Sequence, residues 1–100
     1  MTKWADYGIS HVRYNDNGTH IEKVKVREDL GDKFGPSEEM VRKEVVSEIE
    51  SDTTFVTITK NNGEWNKGED VHIVKVQGTK YIRTDRNARA SDNLGDLPRF

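Results

Sequence analysis

The residues best suited to chemistry lie between Val71 and Thr84. Gln77-Gly78 signals a two-residue hairpin turn, because Gly accepts positive φ at no steric cost. Counted outward from that turn, Val76 faces Thr79, Val74 faces Tyr81 and His72 faces Arg83. Directly opposite residues of paired strands share a face, so His72, Tyr81 and Arg83 form one cluster. Arg offers a rigid fork of donors that suits a carboxylate or a phosphate. The cluster is therefore a candidate site for an anion or small molecule, with Asp85 just beyond it and Trp65 as a separate stacking ring. The plainer reading is a cross-strand stack at the edge of the core, which is what most single His and Arg residues on strands form.

Other chemistries find little support. The histidines, His11, His20 and His72, match no metal-ligand spacing. With no cysteine, thiol catalysis, disulfides and cysteine-based zinc sites are excluded. No serine sits in a Gly-x-Ser-x-Gly elbow, and neither Gly-rich phosphate loop occurs. Asp29 with Asp32, Glu38 with Glu39, and Glu69 with Asp70 read as surface carboxylates. No catalytic residue, metal or cofactor is expected, and the balance leans away from an enzyme.

The elements that must position the cluster follow from periodicity. Tyr7 to Tyr14 reads as a strand, with Ile9 on one face and Val12 and Tyr14 on the other. Asn15-Asp16-Asn17-Gly18 is a turn, and His20 to Arg27 is the return strand. There Val24 and Val26 alternate with Lys23, Lys25 and Arg27, while Ile21 is out of phase and allows a bulge. Glu28 to Pro36 is a loop. A helix then runs to about Glu50, from an N-cap at Ser37 or from nearer Val41. Glu48 and Glu50 would sit at its electrostatically unfavourable end, which suggests a basic neighbour. Thr53 to Lys60 is a strand, Asn61-Asn62-Gly63 a turn, and Val71–Val76 with Thr79–Thr84 the final hairpin. The expected fold is α+β: a small, mainly antiparallel, curled sheet of about five strands with one helix, in the order ββαβββ.

Composition sharpens this. The 100 residues suit one domain spanning 1–100. Val and Ile outnumber Leu by 16 to 3, which favours strands. Apolar residues make up only 32%, so the irregular tail, 85–100, is expected to pack on the sheet through Leu94, Leu97 and Phe100. No apolar run is long enough for a membrane span, and no signal segment opens the chain, so a cytoplasmic location is expected.

Charge is sorted along the chain. Residues 28–52 carry 9 acidic and 3 basic side chains, whereas residues 80–100 carry 5 basic and 3 acidic. The acidic helix suggests a binding module for a protein partner. The alternative is a nucleic-acid contact through Lys80, Arg83, Arg86, Arg89 and Arg99, with Tyr81 and Trp65 stacking on bases. Asp85, Asp92 and Asp96 interrupt that basic run.

Several short blocks also occur in a recognisable order. They are Ala5-Asp6-Tyr7-Gly8-Ile9-Ser10, Val12-Arg13-Tyr14, Ile21-Glu22-Lys23-Val24, Phe55-Val56-Thr57 and Val74-Lys75-Val76. Lys80-Tyr81-Ile82-Arg83-Thr84-Asp85 and Asp92-Asn93-Leu94-Gly95-Asp96-Leu97-Pro98 complete the set. Together they resemble the bacterial family of domain of unknown function 3892 over nearly the whole chain. The resemblance implies a small bacterial protein and carries over no catalytic or binding residue. It directs attention to the strand ending in Arg83-Thr84-Asp85 and to the Asp92–Pro98 segment, where Asp, Asn and Gly also suit turn geometry.

Overall fold

The computed structural model describes residues 3–18, 20–85, 91–95 and 97–100. Its elements are β1 (Tyr7–Tyr14), β2 (Ile21–Glu28), β3 (Glu38–Val41), α1 (Arg42–Glu50), β4 (Phe55–Asn61), β5 (Glu64–Asp70), β6 (His72–Val76) and β7 (Thr79–Arg83). The α+β class is observed, with two differences from the expected ββαβββ order. Two extra strands, β3 and β5, flank the main sheet. That sheet has five strands, in the order β3-β2-β1-β4-β5, and β6-β7 stands apart as its own hairpin. Pairing is antiparallel except between β1 and β4, which run parallel.

Each difference has a local cause. Glu38–Val41 has helical spacing with the residues that follow, but β2 leaves an unpaired edge beside it. Val24 and Val26 take Met40 and Glu38 as cross-strand partners, and Lys23 Nζ lies 3.6 Å from Glu39. The helix therefore starts after an extended Val41, not at a Ser37 cap. β5 carries Gly68 and almost no apolar residue, so alternation does not reveal it. It exists because Asn62 and Gly63 adopt φ values of 53° and 83°, which folds the chain back onto β4. The helix crossover then returns the chain beside β1 in the same direction, which makes that pair parallel.

Two bulges decide which residues face the core. One lies between Ile21 and Lys23 on β2, where the out-of-phase Ile21 suggested it. The other, at Ser10, was not expected. It inserts an extra residue between Ile9 and His11, so Ile9 and Val12 both point into the core and not to opposite faces.

The main core lies on one side of the large sheet. Ile9, Val12, Val24, Val26 and Phe55 pack there with Val45 of α1, Ile82 of β7, and Leu94 and Leu97 beyond it. The last residues pair with β1: Val12 N–H donates to Pro98 O at 3.0 Å and Phe100 N–H to Val12 O at 3.2 Å. Phe100 does not enter the core. It lies partly exposed on the opposite side of the sheet, between Arg13 and Lys25. Among the described residues, no helix is long and apolar enough to cross a membrane.

Leu94 is 2% exposed and packs within the main core. Leu94→Ala should cost about 3 kcal/mol in urea unfolding, the usual range for a buried Leu truncation. Deleting residues 92–100 should lower the melting temperature further, and an unchanged melt would show that this segment is not part of the core.

Candidate functional site

The β6–β7 hairpin has the register expected from its turn, with His72 opposite Arg83 and Val74 opposite Tyr81. Two of its three candidate residues are turned inward. Arg83 is 2% exposed, and its guanidinium donates to both carboxylate oxygens of Asp85 (2.7 and 3.1 Å) and to Ser91 O (2.7 Å). The hydrogen bond to Asp85 raises the Arg83 pKa, fixing the charge on an internal clamp. Tyr81 is also buried, with the His20 ring 5.4 Å away and the Arg42 guanidinium 5.9 Å away. His72 lines a different cleft, beside Asp70 and Val71. The cluster is therefore cross-strand packing: its Arg is already held and its Tyr is covered.

The described basic groups of the Lys80 set have partners within the chain. Lys80 Nζ is bound to Glu50, which supplies the basic neighbour expected at the helix end. Arg99 lies over the Tyr14 ring at 4.4 Å. Arg86 and Arg89 lie outside the described residues.

Asp92 has a larger part than turn formation. Its side chain is wholly buried and accepts from the Ile21 N–H (2.8 Å), the Ile82 N–H (2.9 Å) and the Arg42 Nε (2.6 Å) and Nη2 (3.1 Å). Arg42 also donates to Lys80 O. One carboxylate thus ties the start of β2, the strand β7 and the first turn of α1 together.

Among the described residues, no helix packs on the other side of the large sheet, and there cations and aromatic rings interleave. Register defines the face. Gly8 opposes Arg27 and Val56, His11 opposes Lys25, and Arg13 opposes Lys23. Ile58 opposes Lys67, and Lys60 opposes Trp65. Gly8 is required here, because a Cβ at that position would come within 2.7 Å of the Ile58 side chain. A smaller apolar cluster of Ala5, Val56 and Ile58 packs on this face under Trp4, Phe34 and Trp65. Arg27 and Lys60 lie over the Trp65 ring at 5.3 and 5.4 Å, and Arg13 and Lys25 over the Phe100 ring at 4.6 and 4.8 Å. Glu39, beside Lys23, and Asp70, opposite Val56, are the acids that register places here.

The electrostatics of the face register on His11. Its pKa is lowered by burial first, and then by Lys25 and Arg27. The Ser10 hydroxyl lies 2.8 Å from His11 Nδ1. Trp65 was singled out from sequence. Lys25 and Arg27 were visible as the polar half of an alternating strand, but nothing in sequence set Trp4 and Phe34 beside them. Among the described residues, no group of His, Asp and Glu converges to hold a metal ion.

A family profile described as protein of unknown function (DUF3892) matches residues 8–98. The chain belongs to this family. In this DUF3892 chain the matched span includes the Asp92 clasp and all the strands of the open face except the first residue of β1. No curated protein and no solved structure matches the chain.

The clasp and the exposed Lys80–Glu50 pair should differ sharply in energetic weight. Asp92→Asn turns an amide NH₂ toward donors that need an acceptor, so it should cost at least about 2 kcal/mol in urea unfolding. Lys80 and Glu50 side chains are 42% and 45% exposed, and Lys80→Ala should cost under about 1 kcal/mol. Equal losses would mean that Asp92 is not the clasp.

Proposed function

We propose that this chain is a non-enzymatic binding module that takes single-stranded nucleic acid across the open face of its five-stranded sheet. The supporting observation is the pairing of rings with cations: Trp65 with Arg27 and Lys60, Phe100 with Arg13 and Lys25. Aromatic rings stack on bases of any sequence, and the Lys and Arg side chains that lie over these rings turn aside to hold the phosphates. A duplex would present mainly backbone to such a face, leaving the rings without partners. The interface is placed here and not near Lys80 and Arg83, because carboxylates of the same chain already hold those two groups.

A protein partner is the second reading. The groove between α1 and the β6–β7 turn favours it, being lined by Lys43, Val46, Ser47, Gly78 and Thr79 among others. The acidic helix itself supports it less than its composition suggested. Glu50 is paired with Lys80, and Glu48 accepts from the Thr53 hydroxyl at 3.0 Å.

Fluorescence anisotropy with a labelled single strand tests the first reading. With about four phosphates neutralised, log K should fall with log salt at a slope near −3. Lys25→Glu with Arg27→Glu should weaken binding by about tenfold or more, and polyglutamate should compete poorly. Absence of binding at about 50 mM salt, or equal affinity for polyglutamate, would overturn it.

A pH dependence follows as well. His11 is held below its ordinary value of 6.5, so folding disfavours its protonated form, and stability should decline as pH falls below that value. A bound phosphate offsets the repulsion from Lys25 and Arg27 and raises the His11 pKa. Binding therefore takes up a proton, and affinity should rise as pH falls through the imidazole range. His11→Gln should flatten that slope in the same anisotropy titration.

A further inference from the structure

At one corner of the open face lies a notch of about 310 Å³, and its walls include Trp4, Phe34 and Trp65. Phe34 stands between the other rings, 5.7 Å from Trp4 at 54° and 5.8 Å from Trp65 at 68°. Rings tilted in this way form the walls of a cup and not a closed stack. The walls are held in place from below. Asp29 is buried, and its carboxylate accepts from the backbone N–H of Trp4 (2.8 Å) and of Gly31 (2.9 Å). An isolated bridge joins Asp29 to Phe34, and Leu30 N–H donates to Lys33 O at 2.9 Å. Asp32, Lys33 and Glu64 complete the lining and are exposed.

The volume is at the low end of the roughly 300–1,000 Å³ typical of ligand pockets, which suits one flat ring system. Charge narrows the choice. The lining carries Asp29, Asp32 and Glu64 against Lys33, so the notch favours a hydrogen-bond donor over an acceptor, while Arg27 and Lys60 lie over Trp65 outside that lining. Those same groups are placed to take the phosphates of a strand whose base turns into the cup. Asp32 and Glu64 offer only acceptors at the rim, so they suit an exocyclic amino group and repel a carbonyl.

We infer that the Trp4–Phe34–Trp65 notch holds one nucleobase of the bound strand and prefers a base bearing an exocyclic amino group. This rests on the reading of the open face as a single-strand surface, and it adds a base preference that stacking alone would not give. Cytosine and thymine separate the two effects, since cytosine presents an N4 amino donor where thymine presents a carbonyl acceptor.

The test compares oligodeoxycytidine, oligothymidine and an abasic phosphodiester of equal length by anisotropy on the full chain. The expected result is binding of cytidine about tenfold tighter than thymidine, with the abasic strand weakest. Glu64→Gln, beside an exposed turn, should reduce the cytidine-to-thymidine ratio, and Phe34→Ala should bring it close to one. Equal affinity for cytidine and thymidine strands would overturn the notch and leave the open-face reading standing. A cytidine preference that survives both substitutions would overturn it too, by placing base recognition elsewhere. Binding of none of the strands would overturn both.

Discussion

The buried carboxylate of Asp92 is the contact on which the architecture depends. A buried carboxylate is costly unless its lone pairs are filled. Here they are filled by backbone N–H groups of Ile21 and Ile82 and by the guanidinium of Arg42. The partners come from the large sheet, the separate hairpin and the helix, so satisfying one charge also fixes three elements relative to one another. A chain this poor in apolar residues gains from such a device, because a small core leaves little margin for elements that are merely adjacent. Arg83 does a related task locally, binding the end of β7 to Asp85 and Ser91.

The clasp also sorts the two sides of the sheet. Helix, hairpin, Leu94 and Leu97 are gathered on one side, and among the described residues the other carries short loops and side chains. The charge follows the same division. Tyr7, on the helix side, has its pKa raised by burial and then by Glu28, Glu48, Glu38 and Asp6. His11, on the open side, has its pKa lowered by burial and then by Lys25 and Arg27, which disfavour its charged form. A net charge of −2 therefore conceals a basic face on a mildly acidic body. The whole-chain charge does not show this local distribution.

What was legible in the sequence was whatever short-range pattern controls. The β6–β7 register followed from Gln77-Gly78, which adopt φ values of 49° and 84°. The burial of Leu94 and Leu97 followed from the scarcity of apolar residues elsewhere. The bulge at Ile21 showed as a break in alternation. What was missed depends on distant partners. β3 is a strand only because β2 has a free edge, and β5 only because a left-handed turn returns it to β4. The Arg83 cluster had the expected register, but nothing local shows that Asp85 and Ser91 close over the guanidinium. Asp92 looked like a turn former because its partners, Arg42 and Ile21, are 50 and 71 positions away. The open face was half visible in Lys23, Lys25 and Arg27, and its rings became part of it only when loops from separate parts of the chain met over Val56 and Ile58.

The most direct test of this division of labour is an amide chemical-shift map of the chain titrated with a short oligodeoxycytidine. Perturbed amides should cluster on β1, β2, β4 and β5 around Arg27, Lys60 and Trp65, and around Phe100, and they should recede as salt is raised. Shifts confined to α1 or to the β6–β7 hairpin, with the open face silent, would contradict the account.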